Sequence, residues 1–338
     1  MKKLLVTFVA LATICSVQTA SAWGGWAHKL IAVIAEKHLT PEAKAATEKY
    51  LGSPIYNHAT WMDKVPVWKK NHIPGWEQTS WWHMTTVDRV GKNKYALSDK
   101  RSSRGDGDLV PNLLQCVENL KNYRNMTDSA VMINLKCVLH MVGDMHCPSH
   151  IFYTEFEDCF SGVVNGKNVR RHDQMRLYYN GKKTTSHRVW DGMSILEIWP
   201  EYGTDYELFR VALDTMSPKK RHKMCKGTIE EWVLQNAKDV RYIYEDLTPN
   251  CKIDRQYLLD NQGLSKQQCL RAAYRLAHIL NESFKYNNLK IDYDETNFSV
   301  VGVCRSNSLC ARCICLGRLG SSIYCPYSGA ISYTRGEE

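Results

Sequence analysis

The chain has 338 residues, 44% of them hydrophobic, and a formal charge of +9 at pH 7. That much apolar material excludes a chain disordered throughout and is enough for one large domain or two small ones. The positive excess suits an anionic partner such as nucleic acid without assigning one.

Residues 1–22 open on Lys2 and Lys3, run apolar from Leu4 to Cys15, and close on Ala20, Ser21 and Ala22. This is the three-part pattern of a secretory signal, with Trp23 as the expected mature N-terminus and a mature charge of +7 once the two lysines leave. The apolar run is shorter than the roughly 20 residues of a spanning helix, and no later segment is long and apolar enough. The expectation is an exported protein, periplasmic or secreted, without a membrane anchor. Export permits disulfides. Seven cysteines lie between Cys116 and Cys269 and five more crowd between Cys304 and Cys325; seven is odd, which allows a free thiol in the main body, and the connectivity is not readable from sequence.

Downstream the apolar spacing is helical almost throughout. Leu30, Ile31, Val33, Ile34 and Leu39 recur at three and four residues; Thr40-Pro41 starts a helix and Gly52-Ser53-Pro54 stops it. Further helices are expected at 111–124, 129–146, 190–199, 205–215, 228–246 and 265–284, with Cys269, Ala272, Ala273, Leu276, Ile279 and Leu280 as one stripe of the last. Alternating strand runs are almost absent, and the Gly-rich or charged stretches 91–108 and 160–184 read as long loops or a hairpin. The fold class is therefore all-α, a single mostly helical domain.

Chemistry-bearing residues fall into five short clusters. Trp23 would offer its α-amine and carbonyl as a chelate, five residues before His28 at a helix start. Asp63 follows Trp61, and His83 follows Trp81 and Trp82; standing alone, each reads as an ordinary structural residue. The informative stretch is Leu139-His140-Met-Val-Gly-Asp144-Met-His146-Cys-Pro148-Ser-His150. His140 and Asp144 are four apart, so both leave one helix face, and imidazole with carboxylate is a zinc-binding pair. Pro148 must end or kink the helix, turning His150 back toward the same cavity, while His146 faces elsewhere. A second His-x-x-x-Asp pair follows at His187 and Asp191.

This ordered set resembles the zinc-dependent class I nucleases, the S-one/P-one single-strand-specific family, over residues 23–285. The resemblance implies a mostly helical domain with three zinc ions at the base of a cleft. Asp63, His83, His140 and Asp144 would hold the first; Trp23, His28 and the other oxygen of Asp144 the second; His150, His187 and Asp191 the third. Asp63, as orienting base, and the bridging Asp144 are the candidate catalytic residues. Single-stranded DNA or RNA and nucleotides are the implied substrates, cut in line by an activated water to 5′-phosphate ends by a monomer. A zinc-dependent phospholipase C and an inactive zinc-binding exported protein are the alternatives. The chain departs from the family at Pro66, where many members carry Arg, at Met84, where an aromatic is common, and at Cys147-Pro148-Ser149-His150, where Gln-Pro-Leu-His is common. Residues 286–338, rich in Cys, Ser and Gly, read as a separate extension: a disulfide module, a zinc knot or an accidental lengthening of the reading frame.

Overall fold

Helix α1 (Gly25–Glu36) carries Ala27, Leu30, Ile31, Ala32, Val33, Ile34 and Ala35, all buried. A helix apolar on every side has no solvent face, so it runs through the interior. The computed structural model describes residues 24–68, 82–99, 109–156, 161–164, 167–170, 175–194, 205–285, 293–294 and 297–298. Trp23, the expected signal region and Cys304 to Cys325 lie outside them, as do the side chain of Pro66 and the later part of the expected 190–199 helix.

After α1 come α2 (Pro41–Leu51), α3 (Trp61–Trp68), α4 (Leu109–Lys121) and α5 (Asp128–Asp144). The short α6 (Ser186–Arg188) leads into a π-turn at Val189–Met193. Then follow α7 (Tyr206–Leu213), α8 (Pro218–Met224), α9 (Ile229–Asp246), α10 (Arg255–Asp260) and α11 (Gln262–Ser283). The architecture is mostly helical, as expected, with α1 packed along α11, α5 and α7. Local chemistry sets the boundaries: Thr40 caps α2 by accepting from the Ala43 N–H beside Pro41, and Gly52 ends it at φ 68°. Thr127 caps α5 through Ala130 N–H, and Thr228 and Glu231 form a capping box on α9.

The helical reading passed over several strands. β1 (Thr85–Gly91) pairs antiparallel with β2 (Lys94–Leu97) and parallel with β3 (Ile151–Tyr153). In the 160–184 stretch, β4 (Ser161–Val164) and β5 (Lys167–Arg170) make one hairpin, and β6 (Arg176–Tyr179) and β7 (Lys182–Thr185) another, with β8 (Lys252–Ile253) alongside β6. Such short strands leave little room for alternation, and the buried residues at the start of β1 are consecutive. One hairpin was legible all the same: Asn180 and Gly181, at φ 46° and 75°, are the Asn-Gly pair of a two-residue turn.

The chain divides into two compact units, Met1–Lys285 and Tyr286–Glu338. In the second, β9 (Tyr293–Asp294) pairs antiparallel with β10 (Asn297–Phe298). Among the described residues no helix is long and apolar enough to cross a membrane.

Candidate metal centre

Three pieces of fold converge on the C-terminal end of α5. After Asp144 the chain turns through Met145 and His146 into a 3-10 turn at Pro148–His150, with the Cys147 N–H bonded to Asp144 O at 2.9 Å. Pro148 thus ends the helix and carries His150 back, as its position in the sequence requires. The parallel register sets Thr85 beside Ile151, which places His83 and His150 side by side, just ahead of their strands. α9 holds the turn from behind: Asn236 Nδ2 donates to Met145 O at 2.8 Å, and the Tyr244 hydroxyl to Pro148 O at 2.6 Å.

Asp144 is fully buried at the centre. Its Oδ2 lies 2.8 Å from His83 Nδ1 and 3.2 Å from His140 Nε2; its Oδ1 lies 3.2 Å from His28 Nε2 and 3.3 Å from His150 Nδ1. One carboxylate therefore offers its two oxygens to different sets of histidines. Asp63 Oδ1 joins the first set, 3.4 Å from His140 Nε2. On the far side of His150, Nε2 faces Asp191 Oδ1 at 3.4 Å, and His187 Nε2 faces Asp191 Oδ2 at 3.3 Å. The His28 and His140 rings stack 4.0 Å apart, and those of His150 and His187 5.1 Å apart. Eight of the nine residues expected from the sequence stand together in this way.

Backbone carbonyls aim the rings. His140 Nδ1–H donates to Ala59 O, and His150 Nδ1–H to His83 O, both at 2.8 Å, which turns each Nε2 inward, the atom through which each ring would bind a metal. Gly143 allows the closest approach: a Cβ there would stand 2.5 Å from His28 Nδ1. The start of α1 is close as well, since a Cβ on Gly24 would come within 3.2 Å of Gly192 Cα in the π-turn.

The charge pattern is that of a cation site. Burial alone would push the Asp144 carboxyl up, but the facing His140 and His150 outweigh it and hold it well below the usual range. Burial works against a charged His140, yet Asp144 and Asp63 raise it well above the ordinary imidazole value; His150, under the same opposition, is raised to about 9 by Asp144 and Asp191. His28 goes the other way, lowered by burial and by the neighbouring His140. Buried polar atoms of this cluster without a hydrogen-bond partner include His28 Nδ1, Asp63 Oδ2, His150 Nε2 and Asp191 Oδ2. Buried polar atoms are normally satisfied, so the open atoms of Asp63, His150 and Asp191 fit bound cations, whereas His28 Nδ1 lies against Gly143 and its Nε2 is the atom turned to Asp144. Among the described residues three donor groups are compact enough for an ion: His28 with His140 and Asp144; Asp63 with His83 and His140; and Cys147 with His150 and Asp191.

His146, expected to face elsewhere, does so. Its Nδ1–H donates to Val142 O and its Nε2 accepts from Arg275 Nη1, both at 2.8 Å. The residue that sequence reasoning did not place in the cluster is Cys147; its signal was the departure from Gln-Pro-Leu-His. The six described cysteines of the main body, Cys116, Cys137, Cys147, Cys225, Cys251 and Cys269, are free thiols.

A family model described as S1/P1 Nuclease matches residues 23–285. Endonuclease 3 of Arabidopsis thaliana is 22% identical over 291 residues, covering 79% of this chain and 91% of that protein. Nuclease S1 of Aspergillus oryzae is 23% identical over 299 residues, covering 80% of this chain and 94% of its own length.

Proposed function

Because the chain belongs to the S1/P1 nuclease family through residues 23–285, we propose that it is an exported, monomeric, zinc-dependent endonuclease that cuts single-stranded DNA and RNA. The ends would be 5′-phosphate and 3′-hydroxyl, with 3′-nucleotides as further substrates. The observation that carries this reading is Asp144, a buried carboxylate whose Oδ2 serves His83 and His140 while Oδ1 serves His28.

Asp63, His83, His140 and Asp144 would hold one zinc; Trp23, His28 and Asp144 a second; His150, His187 and Asp191 a third. When bound, the ions supply Lewis acidity, bringing the pKa of a water to about 7 and neutralising charge that grows on phosphate oxygens. Asp63 would receive the proton of the attacking water, a role supported by its unpartnered Oδ2 and its side chain being 10% exposed. His140, fixed through Ala59 O, and His83, with Nδ1 turned to Asp144, keep the donor lone pairs aimed without reorganisation. Asp144 stays ionised because His140 and His150 face it.

The partly exposed donors mark the open side: Asp63, His83 and His187 at 10, 14 and 19%, against 2% or less for His28, His140, Asp144, His150 and Asp191. A phosphate must descend to meet them, which a stacked duplex hinders, and an unstacked base can rest on the half-buried Trp82 beside His83. Met84, buried against the core, offers no such platform.

The test measures zinc per exported chain together with hydrolysis of single-stranded DNA, RNA and phosphatidylcholine, before and after chelation. About three zinc ions per chain and chelator-sensitive cleavage of nucleic acid are expected. Hydrolysis of the lipid alone would sink the reading.

A further inference from the structure

We propose that Cys147 is a metal ligand: its thiolate joins His150, His187 and Asp191, making the third centre a four-donor site of two nitrogens, one oxygen and one sulfur. This rests on the reading that the cleft holds metal, but it does not need that metal to cut nucleic acid.

Cys147 is fully buried, and its Sγ lies 3.4 Å from Asp191 Oδ1 and 3.2 Å from Ser149 Oγ. The donor atoms of Cys147, His150 and Asp191 lie within 4.8 Å of one another. His187 Nε2 reaches the same carboxylate from its other oxygen, at 3.3 Å. His150 Nε2, buried at 1% exposure and without a hydrogen-bond partner, faces the same Asp191 Oδ1 that the sulfur approaches, while the unpartnered Asp191 Oδ2 faces His187. The sulfur therefore stands beside an unsatisfied imidazole nitrogen and a carboxylate, the donor set of a cation site.

The backbone holds it there. Asn236 grips Met145 O and Tyr244 grips Pro148 O, so the chain is anchored on both sides of Cys147. The thiol is free and forms no disulfide. In the metal-free chain the S–H proton points to Asp191 Oδ1; a divalent cation between sulfur and carboxylate displaces that proton to solvent, forming a metal–sulfur bond in place of the S–H bond. Two anionic donors then balance the charge of the cation, so this centre grips soft divalent ions, zinc foremost, more tightly and polarises substrate less than a purely His/Asp centre.

The experiment loads the full-length exported chain with zinc for X-ray absorption and with cobalt(II) for electronic absorption, in wild type, Cys147→Ser and Cys147→Asp. The wild type is expected to show a sulfur shell at about 2.3 Å and a near-ultraviolet thiolate-to-cobalt band. Both serine and aspartate variants should lose these signals; serine should weaken one metal at least about 10-fold, whereas aspartate, an anionic oxygen donor, should retain the metal count. A full metal count without a sulfur shell overturns the proposal in the wild type alone, whether or not the variants fold. A sulfur signal unchanged in both variants also overturns it, by assigning the signal to other cysteines, and so does a chain that binds no metal. A wild type with the Cys147-dependent signals but no nuclease activity upholds the ligand and defeats the functional reading instead.

Discussion

His146 and His150 lie four residues apart on one turn, and both are buried to 1% exposure or less. His146 has both ring nitrogens satisfied, by Val142 O and Arg275. His150 has only Nδ1 satisfied, by His83 O, and its Nε2 faces Asp191 without a hydrogen bond. Their charge states diverge accordingly. Burial and the Arg275 guanidinium push His146 well below the ordinary imidazole value, whereas for His150 burial is overcome by Asp144 and Asp191, giving about 9. Burial does not tell a structural histidine from a ligand; an open nitrogen facing an anion does.

Removing Asp144 should have the largest effect, because both histidine sets depend on it. Asp144→Asn is expected to abolish cleavage and to lower metal affinity by more than the roughly 10–100-fold of an outer-shell change, measured by metal analysis after dialysis and by substrate turnover. Next comes the histidine pair itself. His150→Ala should lose metal, with a stability cost of its own in the chelated protein because His83 O loses its buried donor. His146→Leu should keep the metal count but cost about 1–3 kcal/mol, since Arg275 loses a buried acceptor. Metal loss in His146→Leu, with none in His150→Ala, would reverse the comparison.

Smaller effects are expected away from the cluster. Truncation after Lys285 should leave zinc content and turnover as they are, because every described donor precedes that point; loss of metal would give the last 53 residues, Tyr286–Glu338, a part in the site. The smallest effect is a pH dependence at His278, half-buried on α11, whose imidazole is lowered chiefly by burial. The unfolded chain takes up this proton at pH about 6.5, before the folded one does. Stability is thus complete above that pH and falls as pH drops through it toward the lower folded value. The melting temperature of His278→Gln should gain on the wild type between pH 7.5 and 5.5; a constant difference would contradict the shift.

The sequence disclosed the fold wherever one element was long and regular. The expected 129–146 and 228–246 appear as Asp128–Asp144 and Ile229–Asp246, and 265–284 as Gln262–Ser283. The expected 190–199 helix is present over its described start, which winds as a π-helix at Val189–Met193, a distinction that apolar spacing does not carry. For the site, His140 with Asp144 and His187 with Asp191 were legible because a helix brings residues four apart onto one face. His28, Asp63 and His83 were not legible from spacing, since their convergence depends on α1 lying inside the molecule and on the parallel β1–β3 pairing; their motif resemblance supplied them. Cys147 stood in plain view as a departure from a motif, but its proximity to Asp191 arises from a turn fixed by Asn236 and Tyr244, roughly 90 residues further on.

Gly143 contributes no donor, yet His28 Nδ1 lies only 2.5 Å from where its Cβ would be. The clearance between α1 and α5 is therefore set by a missing methyl group, and α1 sinks one atom's depth further than any other residue would allow. Since His28 and Asp144 are 116 positions apart in the chain, that depth acts as a gauge: two distant segments meet at a fixed separation, and an alanine at position 143 would part His28 from Asp144 without altering a single ligand.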